Sequence, residues 1–142
     1  MIWTITSAAL VAANFSTPQG AIRSLENAYV KKDIEAAVAA KDFIAEAQLM
    51  LQHADPKLLK DRGIVSQTAN VLELSFRKQI KDQGFPNFSG VKCSLGSPKN
   101  ISATLVNIVE TCVFPDGGTS VQTLHVFNGA HGWRVIFLPG DT

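Results

Sequence analysis

Glu110 and His125 are the two residues whose types and positions could support proton-transfer chemistry. A positioned carboxylate or imidazole can act as a general base, and removing a proton beside a carbonyl also needs a donor for the developing oxyanion. Glu26, Asp33, Glu35, Asp42, Glu46, Asp55, Asp61, Glu73, Asp82, Asp116 and Asp141 all fall in helical, capping or turn patterns, which leaves Glu110 as the strand carboxylate. His125 is likewise the strand histidine. Whether the two meet depends on the turn at Pro115-Asp116-Gly117-Gly118. Directly opposed residues of an antiparallel pair share a face. A two-residue loop at Asp116-Gly117 sets Glu110 opposite Thr123 and puts His125 on its face as a diagonal neighbour. A three-residue loop sets Glu110 opposite Leu124 and splits the pair across the sheet.

Other chemistry has less support. His53, His125 and His131 show no metal-ligand spacing with one another or with the cysteines, so neither a metal site nor a cofactor is expected. No serine lies in a nucleophile-elbow pattern, and Gly117-Gly118 is not followed by a helix as a phosphate loop would be. Spacing alone leaves a Cys–His pair open. Cys93 and Cys112 lie on different runs rather than in a CxxC, and are expected to be buried free thiols.

The elements that must position these residues are helical first and strand-like last. Ser16-Thr17-Pro18 is a helix start, since Ser or Thr caps free amides and proline suits the first turn. Ala21, Ile22, Leu25, Ala28 and Tyr29 then recur at helical spacing, with Arg23, Glu26 and Asn27 assigned to the other side. Asp33 caps an Ala-rich helix from Ile34 to Ala40, and Asp42 caps another from Phe43 to Gln52. Asp55-Pro56 opens a short helix ending near Gly63. From Ile64 a longer stripe of Val65, Ala69, Leu72, Phe76 and Ile80 runs to Gly84, where Phe85-Pro86 prevents continuation.

Beyond Asn87 the composition changes. Val91 to Leu95 is a short strand, Ser97 to Asn100 a turn, and the runs Ile101 to Phe114, Ser120 to Phe127 and Trp133 to Leu138 form an antiparallel meander. No βαβ alternation is present. The fold class expected is therefore α+β, with N-terminal helices packed in a bent antiparallel sheet. The 142 residues form one domain: an apolar N-terminal segment over 1–15, helices over 17–84 and the meander over 90–138.

A formal net charge of +1 gives no electrostatic footprint for nucleic acid or an anionic membrane. The apolar run Met1 to Ala13 has no preceding Lys or Arg and is too short to span a bilayer, so it reads as a core-packing helix or an added strand rather than a leader. A cytoplasmic location follows as an expectation. The Asn-x-Ser matches at Asn14, Asn87 and Asn100 are then expected to be chance.

The run from Thr17-Pro18 through Tyr29 and Asp33 to Asp42-Phe43, with the later Gly132-Trp133-Arg134-Val135-Ile136, resembles the nuclear transport factor two-like superfamily. The resemblance implies a cone in which a strongly bent sheet wraps around helices and leaves a pocket at its open end. It also places Tyr29 where pocket walls occur, although packing is the simpler role for that side chain. The superfamily includes isomerases, hydrolases, adaptors and toxin-neutralising immunity proteins, so the fold does not settle the activity. Poor acid–base equipment favours a non-enzymatic immunity-type protein that binds a cognate toxin, with Phe85, Phe88, Asp116 and Trp133 as anchors. The alternative is a small-molecule-binding protein or an isomerase- or hydrolase-type enzyme with Glu110, His125 or Tyr29 inside the cone. The apolar outer face of the long strand, with Val109 and Val113, further implies a homodimer through the sheet or cover from the N-terminal segment.

Overall fold

The helix starts follow the capping signals. In a computed structural model, which describes residues 2–4 and 13–138, α1 (Pro18–Lys31) begins at Thr17, whose hydroxyl accepts from the Gly20 amide at 3.0 Å. Asp33, Asp42 and Asp61 similarly cap α2 (Ile34–Ala39), α3 (Phe43–Ala54) and α4 (Arg62–Gln83), each accepting from the amide three residues on. The Asp55-Pro56 signal yields a 3-10 turn over Pro56–Lys60. Gly84 ends α4 at φ 81°, a conformation that a side chain would strain. On α4 the stripe behaves as read: Val65, Ala69 and Phe76 are buried, and Leu72 and Ile80 pack partly against the same core.

The strands are β1 (Ile2–Thr4), β2 (Lys92–Leu95), β3 (Lys99–Asn100), β4 (Leu105–Val113), β5 (Thr119–Gly129) and β6 (Gly132–Ile136). They form one antiparallel sheet in the order β1-β2-β4-β5-β6, with the short β3 also paired to β4. The sheet curls into a half-barrel around the helices, giving an α+β cone. Two readings shift here. Ile101 to Thr104 turns rather than pairs, and part of the expected 97–100 turn becomes β3. The N-terminal segment adds β1 to the edge of β2; Met1, residues 5–12 and 139–142, Asp141 among them, lie outside the described residues.

The core sits between α1 and the concave face of the sheet. Ala21, Ile22, Leu25 and Ala28 of α1 meet Val106 and Ile108 of β4, Val126 of β5 and Val135 of β6 in one cluster. Along β4 the even-numbered residues from 106 to 112 are buried and the odd ones are not, the period-two signature of a sheet with one covered face. The helix is enclosed on more than one side. Glu26 and Asn27, assigned from the sequence to its outer face, are only 5% and 7% exposed.

At the far edge, the linker between α2 and α3 lies along β6. The Val135 amide donates to Ala40 O at 2.9 Å, and the Asp42 amide donates to Val135 O at 3.2 Å. Lys41 between them is buried, ion-paired with Glu46, and its ammonium sits 3.2 Å from the centre of the Phe137 ring. The β5–β6 turn is equally fixed. Gly132 has φ 97°, and a Cβ there would lie 2.6 Å from Phe15 O, so no larger residue fits without displacing backbone.

The expectation of free thiols is overturned. Cys93 and Cys112 are directly opposed on β2 and β4, and they form a disulfide. A register that places two cysteines side by side on one face makes this bond available, and sequence spacing alone does not reveal it. The bridge is packed among Val91, Val30 and Phe88. With a sequence separation of 19, its contribution by loop closure is about 3 kcal/mol. Urea denaturation of the Cys93→Ala/Cys112→Ala double variant should show a loss of about that size; an unchanged midpoint would show that the bridge does not constrain the chain.

Candidate functional site

The site begins with the β4–β5 turn. Phe114 and Gly118 close it by a 2.8 Å hydrogen bond from the Phe114 amide to Gly118 O, and the Gly117 amide donates to Phe114 O at 2.9 Å. Pro115 sets the first turn position and Gly117 takes φ 88°, so the loop is a three-residue Pro115-Asp116-Gly117 turn ending in a left-handed glycine. The loop is odd, but it is framed one residue earlier than read from the sequence. Glu110 is therefore opposite Gln122 rather than Thr123 or Leu124.

This register separates the acid–base candidates. Glu110 points to the concave face with 1% exposure. His125 pairs in register with Asn107 on the opposite face, its Nδ1 2.7 Å from Asn107 Oδ1. Although residue 125 borders the cavity described below, the Glu110–His125 pair does not form.

What meets Glu110 instead is Glu26. Both line a cavity of about 830 Å³ inside the cone, with walls from Ile22, Leu25 and Tyr29 of α1, Phe76 and Ile80 of α4, Leu124 of β5, and Ile136 and Phe137 at the end of β6. Gln122 Nε2 donates to Glu110 Oε1 at 3.1 Å. Glu26 Oε1 and Oε2 and Glu110 Oε2 receive no hydrogen bond from any described residue. A proton on Glu26 resolves the conflict, because the neutral acid donates to the Glu110 carboxylate. Burial, then the Glu110 charge and the hydrogen bond to it, hold the Glu26 carboxyl well above its ordinary 4.5, and Arg23 opposes the shift. The arrangement is a carboxyl pair sharing one proton, which can both give and accept a proton.

Tyr29, one turn along α1, has its phenol pushed upward by burial and by Glu26, so it remains a hydroxyl donor. Its ring stacks on Phe88 at 6.3 Å and tilts against Phe85 at 6.2 Å. These two anchor candidates thus pack beside the cavity as part of the protein's own aromatic cluster. Asp116 is exposed at the hairpin tip, where Oδ1 accepts from the Gly118 amide at 2.8 Å. Trp133 packs partly against the core. Cys93, Cys112 and Glu110 bring potential ligand atoms within 4.8 Å of one another, but joined sulfurs offer no thiolate to a metal.

Sequence reasoning missed Glu26, although a signal was present. Positions 22, 26 and 29 are spaced by four and three, so Glu26 lies on the Ile22–Tyr29 face of the helix. No family model, no curated protein and no solved structure matches the chain. Among the described residues, no helix is long and apolar enough to cross a membrane.

The carboxyl pair makes stability depend on pH with a defined sign. Glu26 keeps its proton in the folded chain after the unfolded chain has released it, so its contribution falls as pH rises from the ordinary 4.5 toward the raised value. Arg23, Tyr29 and Glu110 are the other ionisable groups acting there. Denaturation of wild type and Glu26→Gln across that window should show the variant gaining on wild type as pH rises. A difference that stays constant with pH would mean the proton is not shared.

Proposed function

We propose that the chain is a small-molecule-binding protein of the nuclear transport factor two-like architecture, with a proton-transfer site inside the cone. The observation that carries this reading is the cavity of about 830 Å³ with the Glu26–Glu110 pair in its wall. Its size falls within the range of small-molecule sites, and its lining mixes apolar walls with polar groups that include Glu26, Glu110 and Gln122. Glu110, as the ionised partner, is the base; Glu26 holds the proton; Tyr29 is the neutral donor for developing negative charge. The chemistry that suits them is proton abstraction and return on an apolar molecule, of the isomerase type.

Two measurements test this reading. Binding of a neutral apolar probe, 2-phenylethanol, should be lost when Leu124→Trp fills the cavity. Solvent deuterium should enter enolisable ketones in the presence of wild type, and Glu110→Gln should slow that exchange by about a hundredfold or more. Failure of any small apolar molecule to bind in the cone would overturn the proposal.

A self-association reading is favoured by a different observation. The outer face of the sheet exposes Val109, Val113 and Val121, the last at 68%, and β1 extends the sheet edge without covering them. A second copy of the chain is the simplest occupant, because a two-fold axis lets one apolar patch cover itself. Light scattering should give a dimer that Val121→Lys converts to monomer; a monomeric wild type removes the self-association reading. The disulfide bears on location, since such bonds persist in oxidising compartments and are rare in the cytoplasm expected from the sequence.

A further inference from the structure

The cavity wall is electrostatically one-sided. Among its described lining residues are two carboxyl groups and no Lys or Arg; the remaining titratable members are Tyr29 and His125. Arg23 acts on Glu26 but does not line the cavity. Glu26 and Glu110 are more than nine-tenths buried, and beyond the proton that they share, neither Glu26 oxygen receives a hydrogen bond from any described residue. Buried acceptors left in this condition carry a desolvation penalty that a ligand with matching donors removes. The α4 side of the wall contributes Gln79 and Gln83, and the loop after it contributes the Phe85 and Phe88 rings. Neither supplies a cation.

From this arrangement we infer that the ligand is an apolar molecule bearing a single ammonium group, which binds against the Glu26–Glu110 pair. The inference rests on the cone-site reading above and names the ligand class for it. A pair sharing one proton carries one negative charge, so one ammonium neutralises it without further protonation. The N–H groups of a primary ammonium match the open carboxyl oxygens, and the Tyr29, Phe85 and Phe88 side chains line the same cavity. The apolar body of the ligand takes the Ile22, Ile80 and Leu124 side. An anionic ligand would face the carboxyl pair with no compensating charge in the wall, and a neutral alcohol would satisfy fewer of the acceptors.

Three probes of similar size separate these cases: 2-phenylethylamine, 2-phenylethanol and phenylacetate, titrated calorimetrically at neutral pH into the full chain. The amine should bind at least about tenfold more tightly than the alcohol, the worth of one charge-assisted hydrogen bond, and phenylacetate should bind most weakly. The amine's advantage should disappear in Glu110→Gln, which removes the pair's charge, and persist in Glu26→Gln, which keeps it. If one of these variants fails to fold, the other and the three-probe comparison on wild type still decide. Equal binding of amine and alcohol, or an advantage retained in folded Glu110→Gln, would overturn the inference while leaving the cone site intact. If none of the probes binds wild type, both fall.

Discussion

Two carboxyl groups pressed together away from water cannot both keep their charge. Two unit charges ~4 Å apart repel by about 4 kcal/mol even in a partly wet protein interior, and each has also lost its hydration. The packing of α1 into the concave face of the sheet imposes this condition on Glu26 and Glu110. The same packing buries Ala21, Ile22, Leu25 and Ala28, so the apolar gain that assembles the cone also forces the carboxyls together. Small residues at 21 and 28 suit a close approach of helix to sheet. The proton-sharing pair and the core are two results of one docking event.

Register does the remaining selection. Glu110 occupies an inward position because Val106, Ile108 and Cys112 do, and the three-residue turn at Pro115-Asp116-Gly117 then sets Gln122 opposite it. Among the described residues, Gln122 supplies the hydrogen bond that holds Glu110 Oε1. That same register sends His125 to the other face beside Asn107, and the separate β2–β4 register aligns Cys93 with Cys112. A strand shifted by one residue would exchange these sets wholesale.

Much of the fold was legible because its signals are local. Caps at Thr17, Asp33 and Asp42, the α4 stripe and the glycine-bearing turns act through neighbours in sequence. The site was less legible because it depends on what lies across space. Glu26 was assigned outward by polarity, although its spacing from Ile22 and Tyr29 put it on their face; a helix enclosed by a curled sheet buries more than one stripe. The disulfide needs the β2–β4 alignment, which no spacing rule contains. Loop length left the frame of the Pro115 turn open, because the choice between closing at Phe114–Gly118 and one residue later rests on a single hydrogen bond and on Gly117 taking a positive φ. The cavity itself was expected from a resemblance and not from any residue pattern.

The linker from Ala40 to Asp42, laid along β6, bears on how the chain is made. An uncovered strand edge offers unpaired amides and carbonyls to any other chain. Here the segment that covers the last strand belongs to the first third of the sequence. During synthesis from the N-terminus, the cover leaves the ribosome before the strand that it will protect. Val135 therefore emerges to find its hydrogen-bonding partners already made, and the interval in which its edge could recruit a neighbouring nascent chain is short.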